Sequence, residues 1–340
     1  MSQLQRQASV HSWSYTSAIL EKYEFDNFEE LCTTPIGSGC CAQVYKAKIN
    51  DEKYLNKEVA IKVLHPDIKN KFLRDLKVLR AMSYSLSWIY PQLQWLSINE
   101  SLEEFAHLMN QQVDLRNEAE NLLKFHEFFK NDTNVVFPKP LFYKEDILIE
   151  TYEPGTSIGS FIQDLDSMTT SRRQEIASKG VTMFLKMVFR HNFVHADLHP
   201  GNILVRDNDQ LVILDPGLTA TLTKKDMRNF VAVFSAVVKG DGATVGHEIL
   251  QQSEQECENP QQFVSEIENI VLQFRSKLSF AKVDVSELLT NVFDVFRKHK
   301  VKLEPNFTSV ILSIMVLEGL GRTLDPDLDL LWAATPFLIK

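Results

Sequence analysis

Between His191 and Gly217 the chain reads HNFVHADLHPGNILVRDNDQLVILDPG, and no other stretch constrains the fold as tightly. Two apolar runs, Ile203-Leu204-Val205 and Leu211-Val212-Ile213-Leu214, flank the polar segment Arg206-Asp207-Asn208-Asp209-Gln210. That is the pattern of two short strands joined by a turn. Asp197 stands before the first strand, Asn202 follows five residues on, and Asp215 closes the second strand thirteen residues beyond that. A hairpin of this length predicts that two carboxylates and an amide meet at one end. Mg²⁺ takes oxygen ligands and is usually bound through one or two carboxylates together with substrate phosphates. Singly, each acid reads as part of a polar loop or a hairpin turn; together, at these offsets, they read as a cation and phosphate site. His195 and His199 could serve as metal ligands, but no Cys or further His lies at useful spacing, and they read as hydrogen-bonding supports of the loop.

The 340 residues suffice for two domains or one large bilobed unit. With 44% apolar and 24% charged residues, 12 Gly and 12 Pro, extensive disorder is excluded. A net charge of −9 argues against a nucleic-acid binder, whose affinity rests on neutralising phosphates. The four cysteines, Cys32, Cys40, Cys41 and Cys257, are too few to staple such a chain and show no metal-type C-x-x-C spacing, which points to a reduced compartment. Cys40-Cys41 reads as small residues filling a turn. The most apolar segment, Val310–Leu320, is short and carries Glu318, so it predicts a core helix rather than a membrane span. The first twenty residues carry several Ser, one Arg and no acid, a faintly transit-like composition.

Along the chain, Ser2–Tyr23 reads as a helical lead-in, and Pro35-Ile36-Gly37-Ser38-Gly39 opens a glycine-punctuated turn. Gln43–Ile49 and Glu58–Leu64 read as strands around the charged tip Asn50–Lys57. From Asp67 the period becomes helical: Ile68, Phe72, Leu76, Leu79, Met82 and Leu86 mark a long amphipathic helix, ended by Pro91. Its aromatic-rich part, Val78–Tyr90, offers a surface for membrane contact, although a core face is the reading preferred. Helices over Ser97–Gln112 and Leu115–Lys130 follow, then strands over Val135–Tyr143 and Ile147–Tyr152. Glu153-Pro154-Gly155 marks a boundary, giving a lead-in over residues 1–30, a mixed α+β lobe over 31–153 and a mainly helical lobe over 154–340. A helix from Ser171 to about His191 carries the core stripe Ala177, Val181, Phe184, Leu185 and Val188, and Thr223 caps a helix over Lys224–Lys239.

Two more features bear on chemistry. Gly37-Ser38-Gly39-Cys40-Cys41-Ala42-Gln43-Val44 enters a strand as G-x-G-x-x-A-x-V, and its glycines allow backbone to approach a phosphate closely. A hairpin rather than a helix follows, which counts against a dinucleotide-binding fold. Val59-Ala60-Ile61-Lys62 ends an apolar strand on a lysine. Pointing inward, Lys62 needs a carboxylate partner, and Glu118 is the preferred one with Glu120 close behind; pointing outward, it is an ordinary snorkelling lysine.

In this order the glycine turn, V-A-I-K, H-x-D-x-x-x-x-N and D-x-G resemble the protein-kinase signature. The departures narrow the likeness. His195-Ala196-Asp197-Leu198-His199-Pro200-Gly201-Asn202 replaces the usual Arg and Lys of the catalytic loop, 56 positions separate Lys62 from Glu118, and no A-P-E follows Asp215. On the HADLHPGN string and the helices inserted before Asp114–Glu118, the chain resembles the aarF/UbiB (ABC1) family of atypical kinases. The segments QQVDLRNEA and GSGCCAQVYKA look closest to its aarF-domain-containing kinase 2 branch.

The resemblance implies an α+β, bilobed protein-kinase-like fold, with a small lobe of β-sheet plus inserted helices and a mainly helical large lobe. It implies ATP and Mg²⁺ as cofactors, Lys62 paired with Glu118, Asp197 as catalytic-loop acid, and Asn202 and Asp215 as Mg²⁺ ligands. Phosphates would lie under Gly37, Ser38, Gly39, Cys40, Cys41, Ala42 and Val44, and adenine would bond to backbone around Glu150–Tyr152, between the lobes. Three differences from the family stand out. Gly37-Ser38-Gly39 replaces its alanine-rich loop, Gln112-Val113-Asp114 keeps one of the two acids of its E-x-D element, and its K-x-G-Q segment is missing, as in an N-terminally truncated form.

The expected function is therefore an ATP-dependent kinase or ATPase of mitochondrial coenzyme Q (ubiquinone) biosynthesis or lipid metabolism, associated with the inner membrane and in contact with a biosynthetic complex. Few residues separate Gly217 from Thr223, which leaves hardly any room for a peptide-seating segment and favours a small, lipidic or quinone-like substrate. The alternatives are a pseudokinase that uses nucleotide to organise a complex, and a small-molecule phosphotransferase. The long insertion before Glu118 argues against the last.

Overall fold

The computed structural model describes residues 10–25, 28–50, 57–89, 98–165, 168–251, 253, 257–278, 285–301 and 305–338. The expected tip at Asn50–Lys57 lies mostly outside these residues, as do the first nine residues of the lead-in. The chain divides into two compact units, one of residues 1–132, 136–154 and 212–218, the other of 133–135, 155–211 and 219–340.

The first unit opens with helix α1 (Trp13–Lys22), followed by strands β1 (Phe28–Leu31), β2 (Gly37–Ser38), β3 (Ala42–Ile49) and β4 (Glu58–Leu64). Helices α2 (Ile68–Ile89), α3 (Ile98–Gln112) and α4 (Leu115–Phe129) come next. Strand β5 (Val135–Val136) lies at a point of division, and β6 (Pro140–Tyr143) and β7 (Ile147–Thr151) complete the antiparallel sheet β1-β3-β4-β7-β6, with β2 paired to β3. Pro140, which has no N–H to give, sits on an edge strand, where a ladder tolerates it.

Strand alternation sorts the sheet's two faces. Tyr45, Ala47, Ile49, Val59, Ile61, Val63, Ile147 and Ile149 form one buried cluster with Ile19 and Leu20 of α1. Each such aliphatic side chain contributes roughly 1.5–3 kcal/mol when fully buried. The lead-in helix is thus the cover of this face. Polar contacts set its register: His11 Nε2 lies 2.8 Å from Thr16 Oγ1, and Thr16 donates to the Tyr45 hydroxyl at 3.1 Å. The opposite face carries Ala60, Lys62, Leu148 and Glu150, which pair across the ladder as Ala60 with Glu150 and Lys62 with Leu148.

Helix α2 corrects one expectation. Phe72 and Leu76 are buried with Ala106 of α3, but Val78, Leu79, Met82 and Tyr84 are exposed. The preferred core face is therefore not seen over residues 78–85, where only Ser83 is buried; the side chains from residue 86 to 90 lie outside the described set.

The second unit contains β8 (Thr156–Ser157), α5 (Ile158–Gln163), α6 (Thr170–Leu185) and a π-helical turn over Lys186–His191. Strands β9 (Val194–His195), β10 (Ile203–Val205), β11 (Leu211–Ile213), which lies at the division, and β12 (Thr219–Ala220) follow. Helices α7 (Lys224–Lys239), α8 (Gly242–Leu250), α9 (Pro260–Leu278), α10 (Val285–His299), α11 (Pro305–Leu324) and α12 (Leu330–Leu338) complete it. The stripe read on α6 is core: Ala177, Val181, Phe184, Leu185 and Val188 are all buried. Thr223 caps α7 by accepting from the Asp226 N–H, as the sequence predicts.

Helix α11 packs against α6. By length and composition its residues Asn306–Leu324 are apolar enough to cross a membrane, at a mean hydropathy of 1.4, with half of that window buried. Glycines on α8 allow α9 to approach closely: a Cβ at Gly242 would stand 2.6 Å from the Glu268 backbone, and one at Gly246 3.0 Å from that of Val264.

Candidate functional site

In the first unit the site is built around Lys62. Its Nζ lies 2.7 Å from Glu118 Oε2 and 2.7 Å from Asp215 Oδ1. Strand β4 places Lys62 on the face opposite the cluster covered by α1, α4 presents Glu118 in its first turn, and Asp114 caps that helix by accepting the Arg116 N–H. Residues 56 positions apart thus make the contact that the sequence left as one of several choices; Glu120 is not the partner. Burial opposes the charge on Lys62, but two carboxylates more than offset it and hold the ammonium above its ordinary range. Burial also pushes Glu118 up, to about 7, against the pull of Lys62. One ammonium facing two carboxylates leaves one negative charge in excess, and burial makes Glu118, rather than Asp215, the carboxyl that is pushed toward its neutral form. The side chain of Asp215 is 49% exposed and that of Glu118 only 6%.

Asp215 adopts a left-handed φ of 54°. The loop that follows is anchored by Asn121 on α4, whose Nδ2 donates to the Pro216 carbonyl at 2.8 Å. Asn121 was missed in the sequence, where it looks like any polar helix residue; its position one turn beyond Glu118 is the only hint.

Gly37 and Ser38 pair with Val44 and Gln43, and the Gly39 N–H donates to the Ala42 carbonyl at 2.8 Å, closing a tight turn with Cys40 and Cys41 at its tip. Their sulfurs are 3.4 Å apart. The hydrogen bond from Cys41 lowers the Cys40 thiol to about 6, and that same contact, with burial, raises Cys41. The pair does fill a turn, with its two sulfurs in hydrogen-bond contact. Neither Gly37 nor Gly39 has positive φ among the described residues, and an added Cβ would meet nothing within 4 Å at Gly37 and only the Ala42 carbonyl oxygen at 3.7 Å at Gly39. Packing does not require these glycines, so their bare backbone fits close approach by something outside the chain. Ser38 Oγ, buried, has no hydrogen-bond partner among the described residues.

At the strand end expected to meet adenine, two backbone N–H groups are already engaged. The Tyr152 N–H is taken by the Glu58 carbonyl at 3.0 Å and the Thr151 N–H by the Lys139 carbonyl at 3.0 Å. The Tyr152 ring lies under Lys46 Nζ, 4.1 Å from the centroid. Backbone donors at this strand end are therefore committed within the sheet. The Glu150 side chain, by contrast, is buried on the face that carries Lys62.

In the second unit Asp197 and Asn202 lie on a self-braced loop. Asn202 Nδ2 donates to the Asp197 carbonyl at 3.0 Å, and the Asn202 N–H donates to the His199 carbonyl at 2.9 Å. The ring Nδ1 of His195 accepts the Asp197 N–H, and that of His199 accepts the Gly201 N–H. Both histidines act as hydrogen-bonding supports. Beyond the loop, Thr219 and Ala220 pair with His195 and Val194, and Asn192 clasps Leu222 through both its N–H and its carbonyl. The segment Thr219–Leu222 is thus folded back onto the stretch that leads into Asp197.

An antiparallel sheet with an inward lysine, a helix-borne glutamate and an H-x-D-x-x-x-x-N loop defines the kinase-like class. The chain belongs to the ABC1 family: the ABC1 atypical kinase-like domain matches residues 4–249, and the UbiB helical domain matches residues 268–329. It is 30% identical to the mitochondrial ABC1 family protein YPL109C of Saccharomyces cerevisiae, over 99% of this chain and 62% of that protein. It is 32% identical to the probable serine/threonine-protein kinase abkC of Dictyostelium discoideum, over 100% of this chain and 59% of the relative. A probable protein kinase UbiB of Vibrio campbellii is 29% identical over 92% of this chain and 57% of its own length. The chain thus spans about three fifths of these relatives. Among solved structures, the complex of Rv3197 with erythromycin from Mycobacterium tuberculosis shares the fold, with a TM-score of 0.67, 17% identity, and coverage of 93% of this chain and 80% of that one.

Proposed function

We propose that this chain binds ATP with Mg²⁺ and is a phosphotransferase or ATPase that acts on a small or lipidic substrate in mitochondrial coenzyme Q or lipid metabolism. The observation that carries the reading is the buried ammonium of Lys62, held 2.7 Å from Glu118 on a sheet face beside a bare glycine turn. A fixed cation beside accessible backbone is a receptor for phosphate oxygens. The donor set suits a hard cation: Asp215 offers a half-exposed carboxylate, and Asn202 has its amide nitrogen turned to Asp197, which leaves the amide oxygen to ligate. When bound, Mg²⁺ supplies charge neutralisation to the phosphates. Asp197 is the proposed catalytic-loop acid, which orients or deprotonates the acceptor hydroxyl.

The tethering of Thr219–Leu222 supports a small or lipidic acceptor, because no free segment remains there to seat a peptide. Mitochondrial relatives and the UbiB relatives support the compartment and the quinone pathway. Exposed Val78, Leu79, Met82 and Tyr84 support peripheral contact with the inner membrane or a biosynthetic complex. The segments GSGCCAQVYKA and QQVDLRNEA favour the aarF-domain-containing kinase 2 branch. Hydrolysis of ATP by the purified full chain tests the reading: Lys62→Ala and Asp197→Asn should each abolish it, and unchanged turnover in both overturns it.

The second reading is a pseudokinase. Gln112 in place of an acid favours it, and nucleotide-induced thermal stabilisation without turnover, with or without detergent or phenolic quinone analogues, would establish it.

A further inference from the structure

The first unit buries one carboxyl group that the reading above does not use. Glu150 is 8% exposed, and its Oε2 has no hydrogen-bond partner among the described residues. A buried polar atom left unpaired costs about 1–3 kcal/mol, so its retention calls for a partner from outside the protein. Its position gives that partner's direction. Glu150 lies opposite Ala60, and Lys62 lies opposite Leu148, so all four share one face, with Glu150 and Lys62 offset by two residues along the ladder. Two residues of strand span about 7 Å, on the order of the distance from a nucleotide's phosphates back to its base. Opposite Glu150 stands alanine, the smallest side chain that could flank the carboxyl across the ladder.

Resting on the nucleotide reading above, we propose that the Glu150 side chain is a base-recognition group that accepts a hydrogen bond from the exocyclic amine of the adenine whose phosphates lie on Lys62. The chemistry is matched. Burial pushes the Glu150 carboxyl well above its usual range, with the nearby Glu118 carboxylate adding to the effect. A neutral acid offers one acceptor and one donor, and the Watson–Crick edge of adenine presents the amine donor beside the N1 acceptor. The committed N–H groups of Thr151 and Tyr152 cannot take over the donor role toward the base.

The test compares ATP with purine riboside triphosphate, which lacks the amine, on the full chain. Wild type should bind ATP about tenfold more tightly, the equivalent of one hydrogen bond to a buried group. Glu150→Leu should reduce this preference to less than about twofold, and Glu150→Gln, whose amide oxygen accepts, should retain it. Unliganded Glu150→Leu should melt a few degrees higher than wild type, because an unpaired buried polar atom has been removed. A preference that survives intact in Glu150→Leu would assign the amine to backbone and overturn the proposal, and so would a lower melting temperature, which would give Glu150 a structural role. ATP binding without any preference in wild type overturns this proposal alone; absence of binding by either nucleotide overturns it together with the nucleotide reading.

Discussion

Asn121 donates its side-chain amide to the Pro216 carbonyl at 2.8 Å, and so ties the Asp215-Pro216-Gly217 loop to the helix that carries Glu118. Two acids that reach the same lysine from distant parts of the chain are thereby held by one further hydrogen bond. Asn121→Leu leaves the Pro216 carbonyl without this donor. The expected loss is about 1–3 kcal/mol of stability in urea unfolding, with ATP turnover falling more than stability alone accounts for.

Lys62 and Glu118 form a buried pair, and removing one member strands the other. Lys62→Ala should cost about 3 kcal/mol or more, and Glu118→Ala less, because Lys62 keeps Asp215. Lys62→Ala combined with Glu118→Leu should be more stable than Lys62→Ala alone. Denaturation of the three variants decides this, and additive losses would contradict a coupled pair.

Cys40 is exposed, and its contact with Cys41 lowers the thiol to about 6. Alkylation followed by mass spectrometry should modify Cys40 first, at a rate that rises through about pH 6 rather than the ordinary thiol range. Cys41→Ala removes the donor and should move that profile upward. Saturating ATP should slow labelling, since the thiol stands at the tip of the glycine turn.

His11 gives the fold an acid limit. Burial, with His65 2.8 Å away, lowers its ring to about 4 from an ordinary 6.5. The folded state therefore favours neutral His11, while the unfolded chain takes up the proton at the ordinary value. Its stabilising contribution is complete above pH 6.5 and is lost progressively as the pH falls toward 4. His11→Gln should flatten the acid limb of a stability–pH curve within that window.

Close approach between α8 and α9 depends on Gly242, whose added Cβ would meet main chain rather than a flexible side-chain end. Gly242→Ala should destabilise the second unit by about 1–3 kcal/mol, visible as a lower thermal midpoint with nucleotide affinity unchanged.

The sequence shows the strands and helices that carry the site because periodicity and caps are local. Thr223, the hairpin around Arg206–Gln210 and the core stripe of α6 follow from neighbours within a turn or two. The kinase-like class follows from the order of four motifs. What local pattern could not give is pairing across long separations: Asn121 with Pro216, or the unused carboxyl of Glu150 on the lysine face. Helix α2 shows the converse limit. Its stripe has helical period, yet Phe72 and Leu76 are buried while Leu79 and Met82 are exposed, because periodicity reports a face and not what lies against it.

Lys62 holds two counter-ions, one of them half exposed. An arriving polyanion must displace Asp215 from the ammonium, and an arriving cation at Asp215 must displace Lys62. Each exchange releases the partner that the other ion needs, so the affinities for the two ions rise together and by the same factor. On the proposed reading, then, the site is an ion exchanger, reluctant toward either ion alone and responsive to the matched pair.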